Sequence, residues 1–335
     1  MGTHIPSIED TKELLKKNQI GIIGVGETEQ GKIPGKSSFH FLSEASKLAI
    51  EDAGIQKSDV DGVITAFSLV EETFMHCTTF ADYIGINPKY FESVAIGGAT
   101  AVWMTAAAAM AINSGQAEVV LCVRGDNTLS GISSTGMIAL IREMCHGEFE
   151  FPFGLTTPGG YALMANRYLH ETNGKREHLH SVAVTMREHA KLKENAMMKD
   201  DLTLDDIMAT RLLASPLTKF DCSIVSDGGA AFIVTTSAKA KELGLKRDPI
   251  YLHGMGQGFS HQYLTSCENL EQIYGAVEKS GKKAFETAGM TNDNVDITFL
   301  YDCFTITTLL ELEGLGIVPK GQAGAYEAAL QDNHQ

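Results

Sequence analysis

The segment Phe299–Gly316, FLYDCFTITTLLELEGLG, holds the most pointed set of reactive groups in the chain. Its Tyr301 is a proton carrier if neighbouring donors lower the phenol's pKa, and a packed, hydrogen-bonded core residue if they do not. A second stretch, Ile96–Gly115 (IGGATAVWMTAAAAMAINSG), is a turn feeding a helix of small residues. Such a helix start offers backbone N–H groups to a substrate oxygen or phosphate, and the same small side chains suit a buried helix or a subunit interface. Other motifs argue against chemistry. GVGETEQG at Gly24–Gly31 has the spacing GxGxxxxG, not GxGxxG, and no suitably placed acidic residue follows, so a dinucleotide site is not expected. Asp221 and Asp227, in the turn-rich run before Ala230, are expected to stabilise turns. The six cysteines, Cys77, Cys122, Cys145, Cys222, Cys267 and Cys303, include no CxxC pair, so buried reduced thiols are expected rather than zinc.

These groups need elements to hold them. Ile20–Val25 reads as a strand and Phe41–Ala53 as a helix capped by Ser37 or Ser38 and stopped at Gly54. Val60–Phe67 and Val119–Val123 are buried strands flanking the helix Ala99–Asn113. Strand–helix–strand alternation of this kind makes an α/β sheet. Residues 125–216 break the rhythm with Gly- and aromatic-rich turns and two polar helices, Tyr161–Asn173 and Glu177–Asn195. This insertion is expected to lie over one end of the sheet. Its Arg167, Lys175, Arg176, Arg187, Lys191 and Lys193 form either a solvated face or a docking site for a phosphorylated ligand. The α/β pattern resumes at Ala230–Thr235 and Ile250–Gly254.

An internal repeat orders these pieces. Ser46–Asp61, SKLAIEDAGIQKSDVD, aligns without gaps on Gly281–Asp296, GKKAFETAGMTNDNVD, at an offset of 235 residues. Seven positions coincide, among them Gly54 with Gly289 and Asp61 with Asp296, and both copies read helix, glycine stop, acidic turn, strand. Two similar halves follow, an N-terminal one over 19–250 that includes the 125–216 insertion and a C-terminal one over 251–335. The repeat places Tyr301 at the C-terminal end of a strand, where open α/β sheets bind ligands. Continued at the same offset, it runs past Gln335 before the second half is complete, so a shortened second half is expected.

Composition limits the function classes. The chain has 335 residues, 44% of them hydrophobic, and a net charge of −15. That excess of acid opposes nucleic-acid and anionic-membrane binding, while leaving room for a local basic pocket. The longest apolar run, Ala106–Ile112, is too short to span a bilayer, and the N-terminus lacks the apolar core of a signal peptide. A cytoplasmic protein is expected.

Taken in order, GIIGVGETEQG, LAIEDAGIQKSDVDG, GGATAVWMTAAAAMAINSGQAEVVL and PLTKFDCSIVSDGGAAFIV resemble the thiolase superfamily, over Gln19 to about Gly324. The resemblance implies an α/β thiolase fold: two pseudo-twofold βαβαβαββ halves in a five-layered αβαβα sandwich, at least dimeric, acting on acyl-CoA thioesters. Thiolases carry a nucleophilic cysteine before the central small-residue helix, and that position is Gly98 here. A glycine forms no acyl-enzyme. The family's Asn-Glu-x-Phe or His-x-x-Phe motif is replaced by YDCF, Tyr301 to Phe304.

Glycine for the nucleophile together with YD-x-F-T is similar to the lipid-transfer-protein-like aldolases of steroid side-chain degradation. This implies retro-aldol cleavage of a β-hydroxyacyl-CoA and a small partner protein with an OB-fold and a zinc ribbon beside a homodimeric core. Tyr301 then takes the β-hydroxyl proton, and the turn around Gly97, Gly98 and Ala99 offers donors to the enolate. A second tyrosine is implied, with Tyr161 and Tyr263 as candidates and His146 as a further polar group. Phe304 and Arg187 are candidates for substrate and CoA binding. No covalently bound cofactor and no metal is implied in this chain; coenzyme A enters as the substrate thioester. A thiolytic or C–C-forming acyltransferase and a non-catalytic thiolase-like scaffold subunit are the alternatives. The Gly-His-Pro segment usual near the superfamily's C-terminus is not in the sequence.

Overall fold

In the computed structural model, residues 18–71 and 73–332 are described, together with Glu13 and Leu15. Two compact units arise, one from 1–133 with 225–255, the other from 134–224 with 256–335. The division at 255/256 is not the one expected from the repeat, which keeps residues 125–216 with the N-terminal half. Residues 134–216 of the insertion fall in the second unit, because their helices pack on the helices that follow residue 256.

The first unit is a six-stranded mixed sheet. Strand β1 (Ile20–Glu27), helix α1 (Ser38–Ala53), strand β2 (Gly62–Ala66), helix α2 (His76–Ile84), strand β3 (Tyr90–Val94), helix α3 (Thr100–Asn113) and strand β4 (Val119–Asp126) follow one another along the chain. Residues Gly228–Thr236 (β5) and Ile250–Tyr251 (β6) complete it in the order β3-β2-β4-β5-β1-β6. Only β2–β3 and β2–β4 are parallel. The central strands are mostly apolar on both faces, with Thr65 in β2 and Arg124 and Asp126 in β4 among the exceptions, because both faces are covered. Val63, Leu121 and Ile233 pack with Leu42, Ala45 and Ala49 of α1; their neighbours Ile64, Cys122 and Val234 pack with Met104, Ala107 and Ala108 of α3. Ser37 caps α1 by accepting from the His40 N–H, as its sequence signal requires.

The second unit is built from helices α4 (Ser134–Met144), α5 (Thr157–Thr172), α6 (Arg176–Lys191), α7 (Leu270–Ala288), α8 (Thr305–Gly314) and α9 (Ala323–Asp332), with a small hairpin of 212–214 and 217–218. Its core joins Tyr168 of α5, Leu179 and Val182 of α6, Tyr274 of α7 and Leu309 and Leu310 of α8. The buried Glu313 is held at its centre. The Tyr168 hydroxyl donates to Oε1 (2.6 Å), the Tyr274 hydroxyl to Oε2 (2.5 Å) and the Ala323 N–H to Oε1 (3.0 Å). A buried carboxylate with three donors is compatible with a core in which an unpaired one is not.

The repeat has a direct structural counterpart. A side chain at Gly26 of β1 would strike Ala45 O, Ala49 N and Leu48 Cβ of α1, and one at Gly256 would strike Ser280 O, Ala284 N and Lys283 Cβ of α7. The two contact sets differ by the 235 residues that separate the repeats. At Gly256 the added carbon would lie 2.0 Å from Ser280 O, so Gly256→Ala is expected to cost about 1–3 kcal/mol as an overpacking change. Chemical denaturation measures this, and an unchanged midpoint would show that the helix simply moves aside. In one respect the second copy differs. Residues 295–300 form no strand, and Val295, Ile297 and Phe299 stay exposed at 40%, 74% and 94%. The expected strand before Tyr301 has no ladder partner among the described residues, so its apolar side chains find no sheet face to cover.

Candidate active site

In the second unit, Tyr301 stands at the head of α8 with 48% of its surface exposed. Three backbone ties fix the segment that carries it. Phe304 bridges Cys222 in antiparallel fashion, the Ser223 N–H donates to Cys303 O (2.9 Å), and the Tyr301 N–H donates to Glu311 Oε2 (2.8 Å). Glu311 is one turn and a half into α8, so its carboxyl reaches back to the residue that opens the motif. Burial pushes the Glu311 carboxyl up to about 7; the Tyr301 N–H works against this and the nearby Asp302 adds to it.

Tyr161, on α5, belongs to the same group. Its ring stacks on Phe304 with centroids 3.9 Å apart and planes 17° from parallel. Its hydroxyl accepts from Cys303 Sγ at 3.5 Å. Burial raises its phenol far above the usual range, and Cys303, Tyr301 and Glu311 each add to the rise. Tyr161 is therefore a phenol at neutral pH, able to donate but not to act as a base.

Tyr263 and His146 meet in the same unit, ring edge to ring face, with centroids 5.1 Å apart. His146 Nδ1 accepts from the N–H groups of Glu148 (3.2 Å) and Phe149 (3.3 Å), which assigns the proton of the neutral ring to Nε2. The loop is locked by the buried Glu150, whose carboxylate accepts from His146 N (2.8 Å), Thr265 N (2.7 Å) and Thr265 Oγ1 (3.0 Å). Burial opposes its charge, but these donors prevail and keep it below the ordinary carboxylate range. Arg187 donates to the Asp200 carbonyl at 2.8 Å, so one of its N–H groups is already engaged.

The glycine turn lies in the first unit. Gly97, Gly98 and Ala99 form a single 3-10 turn and are all exposed. Gly97 has φ +69°, a conformation that costs glycine little and other residues more. Thr100 braces the turn: its hydroxyl donates to Gly97 O (2.7 Å) and accepts from Ile96 N (3.1 Å). Ala99 at the start of α3 supplies no capping side chain, and the Thr100 N–H donates to Gly97 O.

No cysteine offers a ready thiolate. Burial raises the thiols of Cys77, Cys122, Cys145, Cys267 and Cys303, and raises Cys222 to about 11. Among the described residues no group of three or more His, Cys, Asp or Glu side chains fits a metal ion. No helix among them is long and apolar enough to cross a membrane. The sequence reading missed Glu311 and Glu150. Glu311 left one signal, an acidic residue inside the otherwise apolar helical run TITTLLELEG.

The thiolase C-terminal domain-like model matches residues 256–333. A steroid side-chain-cleaving aldolase of Thermomonospora curvata is 35% identical, over 92% of this chain and 80% of that protein. A 17-hydroxy-3-oxo-4-pregnene-20-carboxyl-CoA lyase of Mycobacterium tuberculosis is 32% identical, over 94% and 83%. An acetyl-CoA acetyltransferase of Methanocaldococcus jannaschii also reaches 32%, over 91% and 78%. The solved structure of an Ltp2-ChsH2(DUF35) aldolase superposes with a TM-score of 0.81 at 33% identity, over 93% of this chain and 80% of that one. With this breadth of similarity and its α/β fold, the chain belongs to the thiolase superfamily, among the lipid-transfer-protein-like aldolases.

Proposed function

We infer that the protein is a carbon–carbon lyase that cleaves a steroid β-hydroxyacyl-CoA by retro-aldol chemistry. One observation carries the reading: the turn before α3, Gly97 to Ala99, holds no thiol, while an exposed phenol, Tyr301, stands just ahead of α8. That is the inventory of a proton-transfer enzyme, not of one that forms a thioester. The relatives named as a side-chain-cleaving aldolase and a carboxyl-CoA lyase support the same class and supply its substrate type.

The reaction balances without a covalent intermediate. Tyr301 as phenolate takes the proton of the β-hydroxyl. The Cα–Cβ bond breaks, the oxygen's electron pair forms the ketone carbonyl, and the bond's electrons pass to the thioester as an enolate. Protonation of the enolate carbon releases the shortened acyl-CoA. Backbone N–H groups of Gly97, Gly98 and Ala99 serve the enolate oxygen, the role of preorganised donors in acyl chemistry. Tyr161, held as a neutral phenol, and the Tyr263–His146 pair serve as hydrogen-bonding partners of the bound substrate. Phe304 backs Tyr161, and Arg187 contributes to the CoA phosphates.

The chain works as a cytoplasmic homodimer joined by a small OB-fold, zinc-ribbon subunit. The similar solved structure, named for Ltp2 together with ChsH2(DUF35), supports the two-component arrangement. The test is intact-protein mass spectrometry during turnover of 17-hydroxy-3-oxo-4-pregnene-20-carboxyl-CoA. Product without any acyl adduct is expected. A stable adduct on a cysteine would give the reaction to an acyltransferase instead.

A further inference from the structure

Most side chains near Tyr301 are accounted for by packing, but Glu311 is not. It sits on α8 among Leu309, Leu310 and Leu312, all buried, and its carboxyl oxygen Oε2 is spent on a single backbone N–H, that of Tyr301. The other acid of the helix, Glu313, has three donors for its two oxygens. A leucine at 311 would continue the apolar run; a carboxyl there serves the segment in front of it.

We propose that Glu311 is a positioning residue for Tyr301: its neutral carboxyl anchors the backbone of the phenol-bearing segment, and its ionisation opposes the negative charge on the Tyr301 phenolate. The proposal rests on the reading of Tyr301 as the base. Glu311 has acids as titratable neighbours: Asp302 and Cys303 belong to the segment before α8 and Tyr161 comes from α5, while Tyr301 meets the carboxyl through its backbone N–H. A carboxylate here would add a like charge to a place where a phenolate must form, and like charges raise a phenol's pKa. Burial raises its titration to about 7, so at neutral pH only part of the molecules carry the charge and in mild acid few do. Below that point the proton stays on Glu311 and the phenolate meets a neutral neighbour. Above it, the carboxylate competes with the phenolate.

Glu311→Gln separates anchoring from charge, because the amide oxygen still accepts the Tyr301 N–H and never ionises. Glu311→Ala removes both. Each is purified with its co-purifying subunit, beside wild type and Tyr301→Phe, and assayed on 17-hydroxy-3-oxo-4-pregnene-20-carboxyl-CoA across neutral pH. The Gln variant is expected to match wild-type kcat within about threefold near pH 6 and to exceed it by about three- to tenfold near pH 9. The Ala variant should lose about tenfold in kcat at every pH with little change in KM. Independently of activity, infrared difference spectra of wild type minus Gln should show a protonated-carboxyl band that disappears as pH rises through about 7. A Gln variant whose pH profile superimposes on wild type, or the absence of that band, overturns the role of Glu311. A fully active Tyr301→Phe overturns instead the reading of Tyr301 as base, whatever the infrared spectra show.

Discussion

Tyr301→Phe is expected to lower kcat for the CoA ester by about 10²–10⁴-fold while KM changes little, the usual loss when a positioned general base is removed. The substitution deletes one oxygen and keeps the ring. The Tyr301 side chain is half exposed, and the ties that fix its segment, through Glu311, Cys222 and Ser223, are all to backbone atoms, so none of them changes. Thermal stability should therefore stay within the range of a surface substitution, about 0.5 kcal/mol. Activity retained within a few-fold at unchanged stability would remove Tyr301 from the chemistry. A general collapse of the fold would show that the phenol is structural. The expected pattern, catalysis lost and fold kept, is open to neither explanation.

The local elements were legible in the sequence because they obey local rules. The YDCF motif, the glycine turn before a helix of small residues and the 235-residue repeat are contiguous patterns, and each corresponds to a built feature: the head of α8, the Gly97–Ala99 turn, and the matched packing of Gly26 on α1 and Gly256 on α7. The periodic elements were also readable, as Ser37 at the start of α1 and the two-faced strands β2, β4 and β5 show.

What sequence could not provide were pairings between distant positions. Nothing in the local pattern joins His146 to Tyr263, Glu150 to Thr265, or Tyr161 to Phe304. Burial is a tertiary property, so the carboxyl of Glu311 looks ordinary until the cover over it is known. The run 295–300 fails for the opposite reason. Its alternation Val295, Ile297, Phe299 is a sound strand signal, but a strand is a relation between segments and no described segment pairs with it.

Asp221→Ala should be the most damaging single change in the second unit, by about 3–5 kcal/mol. The carboxylate is 1% exposed and is shared by four donors. Oδ1 accepts from His180 Nδ1 (2.8 Å) and Thr305 Oγ1 (3.0 Å), and Oδ2 from Thr218 N (2.7 Å) and Thr218 Oγ1 (2.9 Å). Arg176, which can only donate, lies 3.5 Å from His180 Nε2 and so assigns the proton of the neutral imidazole to Nδ1, facing Asp221. Alanine would strand a fully buried imidazole and two threonine hydroxyls at once. At about 2–4 °C per kcal/mol for a unit of this size, the melting temperature should fall by roughly 6–20 °C. The effect reaches the chemistry, since Thr305 opens α8 and Tyr301 stands just ahead of it; Asp221→Asn, which keeps the shape and part of the acceptor set, should lose less. The pH dependence has a definite sign. Burial alone would raise the Asp221 carboxyl, but His180 and Thr218 hold it below the usual value of 3.8. Its contribution is therefore complete above that value and is lost only as pH falls through the lower, folded one. Wild type should lose this increment of stability in acid while Asp221→Ala, having no carboxyl to protonate, should not, so the two stability curves converge as pH drops below about 3.8. Curves that stay parallel into acid would mean that the carboxylate stabilises nothing and that its four donors are satisfied some other way.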